Sequence, residues 1–329
     1  MTDSMHAAVL HGLTQTPRYE RFPEPVAGAD DVVVQVAAAA LKPVDKWMAS
    51  GEHYAHFREF PVVCGADGVG RLEDGSRVAF FATHRPYGGF AERTLVPRGR
   101  WFPVPDEVDD VTAAAITNPG MAAWKAVVWR GGLTKGQTVL VLGATGTSGC
   151  IAVQLAKQHG AGRVIAAGRN QRVLDELRTL GADDTIDLNL SEPELVEAYA
   201  AQARISGLDL IVDYLWGTPA EALFTALTAP DLVPENGAER ILHVQVGISA
   251  GETVALSANS LRSAPLEIVG SGSGASPTLQ DALGAYEDLL LGAARDEIRI
   301  AVDPVPLAEI ETAWTAAHSH RRTVFVPSA

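Results

Sequence analysis

The stretch Val139-Leu-Val-Leu-Gly143-Ala-Thr-Gly146-Thr-Ser-Gly149 decides the fold. An apolar run meets three glycines at three-residue spacing, and apolar residues then recur at three- and four-residue steps from Ile151 to His159. This reads as strand, tight turn and helix. The first glycine permits the turn, the second lets the backbone approach a pyrophosphate, and the third packs the helix closely on the strand. The helix start adds N–H groups and a partial positive charge for the phosphates. The spacing is wider than G-x-G-x-x-G, with Ala144 directly after the first glycine. Gly143, Ala144, Thr145, Gly146, Thr147, Ser148 and Gly149 are thus expected to cradle a dinucleotide; a purely structural glycine turn is the alternative.

Outward from this turn, strand-like and helix-like segments alternate. Candidate strands are Thr138–Leu142, Arg163–Ala167, Asp184–Asp187, Leu208–Tyr214, Arg240–Val246 and Leu266–Gly270. Helical patterns over Ile151–His159 and Val173–Leu180 fall between the early ones. Alternation of this kind implies βαβ units and a parallel sheet, and six strands match the doubly wound nucleotide-binding sheet.

The second strand runs into Gly168-Arg169-Asn170-Gln171-Arg172. Sites that prefer NAD place Asp or Glu here for the ribose 2′-hydroxyl. This chain has no carboxylate there and two arginines, whose guanidinium forks suit a 2′-phosphate. Gly168, Arg169, Asn170 and Arg172 are therefore expected to select NADPH. The alternative is that both arginines are merely solvated at a helix start, where positive charge is mildly unfavourable.

Before residue 105 the segments are short and β-like. Ala7–Leu10, Val32–Ala37 and Arg77–Ala82 are apolar runs, and glycine and proline recur at Pro43, Gly51, Pro61, Gly65, Gly68 and Gly70. That punctuation suits a β-rich unit with many turns. The chain closes with a helical pattern over Leu279–Leu291, a turn around Pro304 and Pro306, a helix over Leu307–Ala317, and a strand over Thr323–Val326. The last strand is expected to rejoin the N-terminal unit.

Composition narrows the function classes. A length of 329 residues suits about two domains. The formal net charge of −14 disfavours nucleic acid and anionic membrane surfaces as partners, leaving a small molecule. Cys64 and Cys150 sit in apolar surroundings and suggest reduced core thiols. No signal peptide or membrane-length apolar run is visible, so a cytoplasmic location is expected.

The ordered set of short motifs resembles the medium-chain dehydrogenase/reductase superfamily and, within it, the zinc-free quinone oxidoreductase (zeta-crystallin-like) group. The residues that carry the resemblance include Gly75-Ser-Arg-Val78, Tyr87-Gly-Gly-Phe90-Ala-Glu92, Val104-Pro-Asp106, Gly120-Met-Ala-Ala-Trp124, the glycine turn, Gln154-Leu-Ala-Lys157, Leu180-Gly-Ala-Asp183, Leu208-Asp-Leu-Ile-Val-Asp213 and Ile268-Val-Gly270-Ser271. The resemblance implies an α/β fold: a GroES-like β-rich catalytic domain over 1–118, completed by 271–329, and a Rossmann domain over 119–270, with the cofactor in the cleft between them. It implies cofactor contacts at Val246, Gly247, Gly270 and Ser271, and a homodimer.

Zinc-using relatives place a catalytic Cys where this chain has Pro43, and a His-Glu pair where it has Ala66-Asp67. Neither Pro nor Ala can ligate zinc, and a site rebuilt from His53, His56 and His84 lacks zinc spacing. No metal is expected. Without a Lewis acid, a quinone or an α,β-unsaturated carbonyl, which spreads its own charge, suits hydride chemistry better than a plain ketone.

The family's Asn-Pro/Phe-x-Asp-x-Tyr segment reads Lys42-Pro-Val-Asp45-Lys-Trp47 here. Lys42 is either an electrophile for the substrate oxygen or a salt-bridge partner of Asp45. Trp47 suits a pocket wall, and Tyr54 or Tyr87 is a candidate proton donor. Lys42, Asp45 and Tyr54 form the expected catalytic set. The expected activity is NADPH-dependent reduction of a quinone or enone. The rivals are a zinc-free alcohol or imine redox enzyme and a non-catalytic nucleotide-binding sensor.

Overall fold

The computed structural model describes residues 3–327 apart from 54, 230, 231, 233–239, 273, 275 and 317–319. The chain forms two compact units, one of Met1–Asn118 with Leu283–Ala329 and one of Pro119–Ala282. In the first, β1 (Ser4–Leu10), β2 (Arg18–Pro23) and β3 (Asp31–Ala40) lead into α1 (Pro43–Ser50). Then come β4 (Val62–Val63), β5 (Gly68–Arg71), β6 (Arg77–Phe80), β7 (Arg93–Pro97), β8 (Trp101–Pro103) and α2 (Asp110–Trp124). β1 lies between β2 and β4 in a small sheet. Leu10, Val34, Val36, Phe80, Phe90 and Phe325 belong to one buried cluster, the core of this unit.

The second unit is a six-stranded parallel sheet. Its elements are β9 (Thr138–Leu142), α3 (Thr147–Gln158), β10 (Arg163–Gly168), α4 (Gln171–Thr179), β11 (Asp184–Asp187), α5 (Glu192–Ser206), β12 (Leu210–Asp213), α6 (Gly217–Ala226), β13 (Ile241–Gln245), α7 (Ala258–Ser263) and β14 (Leu266–Gly270). The strand order is β11-β10-β9-β12-β13-β14, the doubly wound order with its switch point between β9 and β12. β9 is buried throughout, as a strand covered on both faces must be, and so reads as one apolar run.

α8 (Leu279–Ala294), β15 (Val302–Pro306), α9 (Ile310–Thr315) and β16 (Arg322–Val326) close the chain. β16 pairs antiparallel with β3 through Val324 and Phe325. The seven-stranded sheet of the first unit runs β15-β16-β3-β5-β6-β8, with β7 also on β3. Three expectations need correction. Pro304 and Pro306 lie in β15, pairing in parallel with Val324 and Val326, rather than in a turn; β15 is an edge strand, where a missing N–H can face away from the sheet. The helix expected over Leu307–Ala317 is a 3₁₀ turn, Leu307–Glu309, followed by the shorter α9. The chain leaves the second unit after Ala282 rather than at 271. Ser271 and Gly272 are still tied to that unit, by Ser271 N–H to Gln245 O (2.8 Å) and Lys125 Nζ to Gly272 O (2.8 Å). Among the described residues, no helix is long and apolar enough to cross a membrane.

Candidate cofactor site and buried charge cluster

The glycine turn is built from backbone constraints. Gly143 has φ +83°, a left-handed conformation that favours glycine. The N–H groups of Gly143 and Ala144 donate to Ala167 O (3.0 and 2.9 Å), fixing the turn to β10. Gly146 precedes α3 in an extended conformation, and Cys150 N–H closes the first helical turn on Gly146 O (2.8 Å). A Cβ on Gly149 would lie 2.3 Å from Gly143 O, so the helix approaches the turn only because that residue is glycine. A Cβ on Gly168 would lie 2.4 Å from Thr145 Cγ2. Thr147 and Ser148 form the first turn of α3, whose leading N–H groups lack helical acceptors. This cradle, open to a close backbone approach and ending on a helix N-terminus, fits a pyrophosphate.

At the end of β10, Arg169 is exposed, and its guanidinium makes no hydrogen bond or ion pair among the described residues. Arg172 Nε reaches Glu176 Oε1 (3.0 Å) on the same face of α4. Asn170 caps α4, its Oδ1 accepting from Val173 N–H (3.3 Å). Val246 and Gly247 follow β13, and their N–H groups donate to Asp213 O (2.7 and 3.1 Å). Gly270 ends β14, and the buried Ser271 Oγ has no partner among the described residues. The strands being parallel, all these residues stand at the carboxyl end of one sheet.

In the first unit, Lys42 ends the run from β3 and caps α1, with Pro43 in the first turn, where a missing N–H costs nothing. Its ammonium donates to Ala40 O (2.8 Å) and Asp67 Oδ1 (2.7 Å) and lies 3.1 Å from Asp45 Oδ2. Asp45 Oδ2 also accepts from Lys42 N–H (2.9 Å). All three side chains are buried. Lys42 makes hydrogen bonds through two of its three ammonium donors, and the Asp45 contact is an ion pair. Burial alone would lower its pKa, but the charges and hydrogen bonds of Asp45 and Asp67 raise it above the usual lysine value. Arg322, on β16, donates from Nη1 to Leu41 O (2.7 Å), and its charge acts on both carboxylates. The four groups thus balance two positive charges against two negative ones.

Lys42 and Asp45 are brought together, with the ammonium 3.1 Å from Asp45 Oδ2, as the salt-bridge alternative requires. Tyr54 lies outside the described residues. The Tyr87 hydroxyl donates to Glu24 O (3.3 Å). Trp47 is half-buried on α1. Arg322 had no sequence signal as a member of this cluster. Among the described residues, no group of three or more His, Cys, Asp or Glu side chains is placed to hold a metal ion. Cys64 and Cys150 are free; burial pushes the Cys150 thiol up to about 12.

The family model described as zinc-binding dehydrogenase matches residues 149–287. The quinone oxidoreductase of Thermus thermophilus, whose structure is described with its NADPH complex, superposes with a TM-score of 0.79 at 29% identity, over 98% of this chain and all of that one. The chain is thus similar, in sequence and in fold, to medium-chain dehydrogenases/reductases of the quinone oxidoreductase group. Among proteins of known sequence, it is 31% identical over 215 residues to the mitochondrial NAD(P)H oxidoreductase RTN4IP1 of Danio rerio, covering 57% of this chain and 54% of the relative. It is 28% identical over 201 residues to the quinone oxidoreductase of Rattus norvegicus, covering 58% and 59%. The chain thus spans little more than half the length of these two relatives.

Proposed function

We propose that the protein is a zinc-independent oxidoreductase that uses NADPH to reduce a quinone or an α,β-unsaturated carbonyl. The observation that carries the reading is the exposed, unpaired Arg169 guanidinium beside a glycine cradle that only a backbone approach can fill. Gly143–Gly149 and the start of α3 hold the pyrophosphate. Arg169 takes the 2′-phosphate, with Arg172 able to join it by leaving Glu176. Gly168, Asn170, Val246, Gly247, Gly270 and Ser271 shape the rest of the cofactor site. The NADPH complex of the Thermus thermophilus relative supports the same cofactor. NADPH supplies the hydride when bound.

Pro43 and Ala66 offer no ligating atom, and the Lys42 ammonium occupies the carboxylates of Asp45 and Asp67. Strong polarisation of a ketone oxygen therefore has no source in these residues, which favours an acceptor that delocalises its own charge. Lys42 and Asp45 serve as a rigid electrostatic base for α1, and the proton comes from solvent. Two free cysteines suit a reducing compartment such as the cytoplasm. β14 ends its sheet with Leu266, Ile268 and Val269 only partly buried, an edge on which a second copy can pair as a homodimer.

A panel of quinones, enones, ketones and imines, followed by NADPH absorbance, tests the reading. Quinones or enones should turn over faster than any simple ketone. Turnover of ketones or imines alone overturns the proposal; tight NADPH binding without turnover points to a nucleotide-binding sensor instead.

A further inference from the structure

Asp213, at the end of β12, and His243, on β13, form a pair with no side-chain exposure inside the second unit. Asp213 Oδ2 lies 2.9 Å from His243 Nε2, and Oδ1 accepts from both Leu215 N–H (2.7 Å) and Trp216 N–H (2.9 Å). Its backbone oxygen accepts from Val246 and Gly247. One residue thus ties down the turns that follow β12 and β13. The first of these touches the glycine turn: a Cβ on Gly143 would lie 3.0 Å from Leu215 Cδ2 and 3.3 Å from Tyr214 Cβ.

Trp216 carries the strain of this arrangement. Its φ of +57° and ψ of −157° belong to a region that glycine, not tryptophan, occupies. Its indole stands edge-on to the His243 ring, centroids 5.7 Å apart at 81°, and packs against Phe224 at 6.0 Å. With Gln245, Ile248, Glu252, Ile268 and Gly270 it lines a cavity of about 330 Å³. A buried carboxylate is costly unless fully hydrogen-bonded, and an apolar pair would fill this part of the sheet more cheaply. What such a pair would not do is hold Trp216 in a glycine-like conformation beside the switch point between β9 and β12, where dinucleotides bind.

We infer that Asp213 and His243 are positioning residues for the dinucleotide: they pin the Tyr214–Gly217 turn as one lip of its crevice and fix Trp216 as a wall. The inference rests on the cofactor reading above. His243 donates from Nε2 to Asp213, which leaves both Oδ1 contacts for the turn. Loss of that donor lets the carboxylate swing and releases Trp216, so cofactor affinity falls while hydride delivery from the bound state changes little.

The test titrates the full chain with NADPH, reading tryptophan quenching and cofactor fluorescence, with melting curves and steady-state rates alongside. His243→Phe should weaken NADPH binding about tenfold or more, the scale of one lost charge-assisted hydrogen bond. Its kcat at saturating NADPH should stay within about twofold. His243→Gln, whose amide N–H can donate to Asp213, should restore affinity to within about threefold. Trp216→Phe should remove part of the quenching. A folded His243→Phe with unchanged affinity overturns the inference, even if its melting temperature falls, because the pair is then only structural. If His243→Phe does not fold, Asp213→Asn carries the same comparison. Failure of the unmodified chain to bind NADPH overturns the cofactor reading and this inference together.

Discussion

The Lys42 ammonium lies 2.7 Å from Asp67 Oδ1, and both side chains are buried. The contact joins the start of α1 to the loop before β5.

Removing that charge strands two carboxylates with only Arg322 to answer them. Lys42→Met should therefore cost about 3–5 kcal/mol of unfolding free energy, the range for breaking a buried pair. The double variant Lys42→Met/Asp67→Asn should recover most of the loss. Denaturant unfolding of the three proteins checks this, and a single variant as stable as the parent would refute it.

The same pair sets an alkaline limit. Lys42 is held above its ordinary pKa in the folded chain, so it binds its proton more tightly folded than unfolded. Its contribution is fully present below about pH 10.4, the unfolded value, and is lost as pH rises through the higher folded value. Melting temperature should fall more steeply across that window in the parent than in Lys42→Met. Parallel pH profiles would exclude the linkage.

Gly149 and Gly270 should respond differently to alanine. At Gly149 the new Cβ meets Gly143 O at 2.3 Å and Ala144 Cα at 2.6 Å, both backbone, so the turn must open. A loss of about 1–3 kcal/mol, with NADPH binding impaired, is expected. At Gly270 nothing lies within 4 Å, and alanine should leave the stability unchanged. Calorimetry and cofactor titration of the two variants decide it.

Arg169→Ala should weaken NADPH by roughly 10- to 150-fold, the equivalent of one charged hydrogen bond of about 1.5–3 kcal/mol, and leave NADH unchanged. Equal affinity of the unmodified protein for both cofactors would remove Arg169 from the 2′-phosphate.

The centre of the parallel sheet was legible in the sequence because a strand buried on both faces, such as β9, reads as an unbroken apolar run. β9, β11 and β14 have the expected bounds, and the glycine turn was equally plain. The first unit was less so. β4 is two residues long and β5 carries Gly68 and Gly70, so neither shows its periodicity clearly. Side-chain partners were legible only when close in sequence. Asp45 is one turn from Lys42, whereas Arg322, which seals the same cluster, bonds Leu41 from 281 residues away. Asp213 and His243 are hidden for the same reason, lying 30 residues apart on two separate strands.

The prolines at the margins of the seven-stranded sheet bear on how the protein behaves when crowded. β15 carries Pro304 and Pro306 at one end of that sheet, and β8 finishes on Pro103 at the other. A strand arriving from a neighbouring molecule would find amide hydrogens missing at both margins, and a ladder cannot propagate through such gaps. β11 guards its own margin with Asp184 and Asp187. Strand-by-strand growth from this sheet should therefore be resisted, because its two ends act as chain terminators.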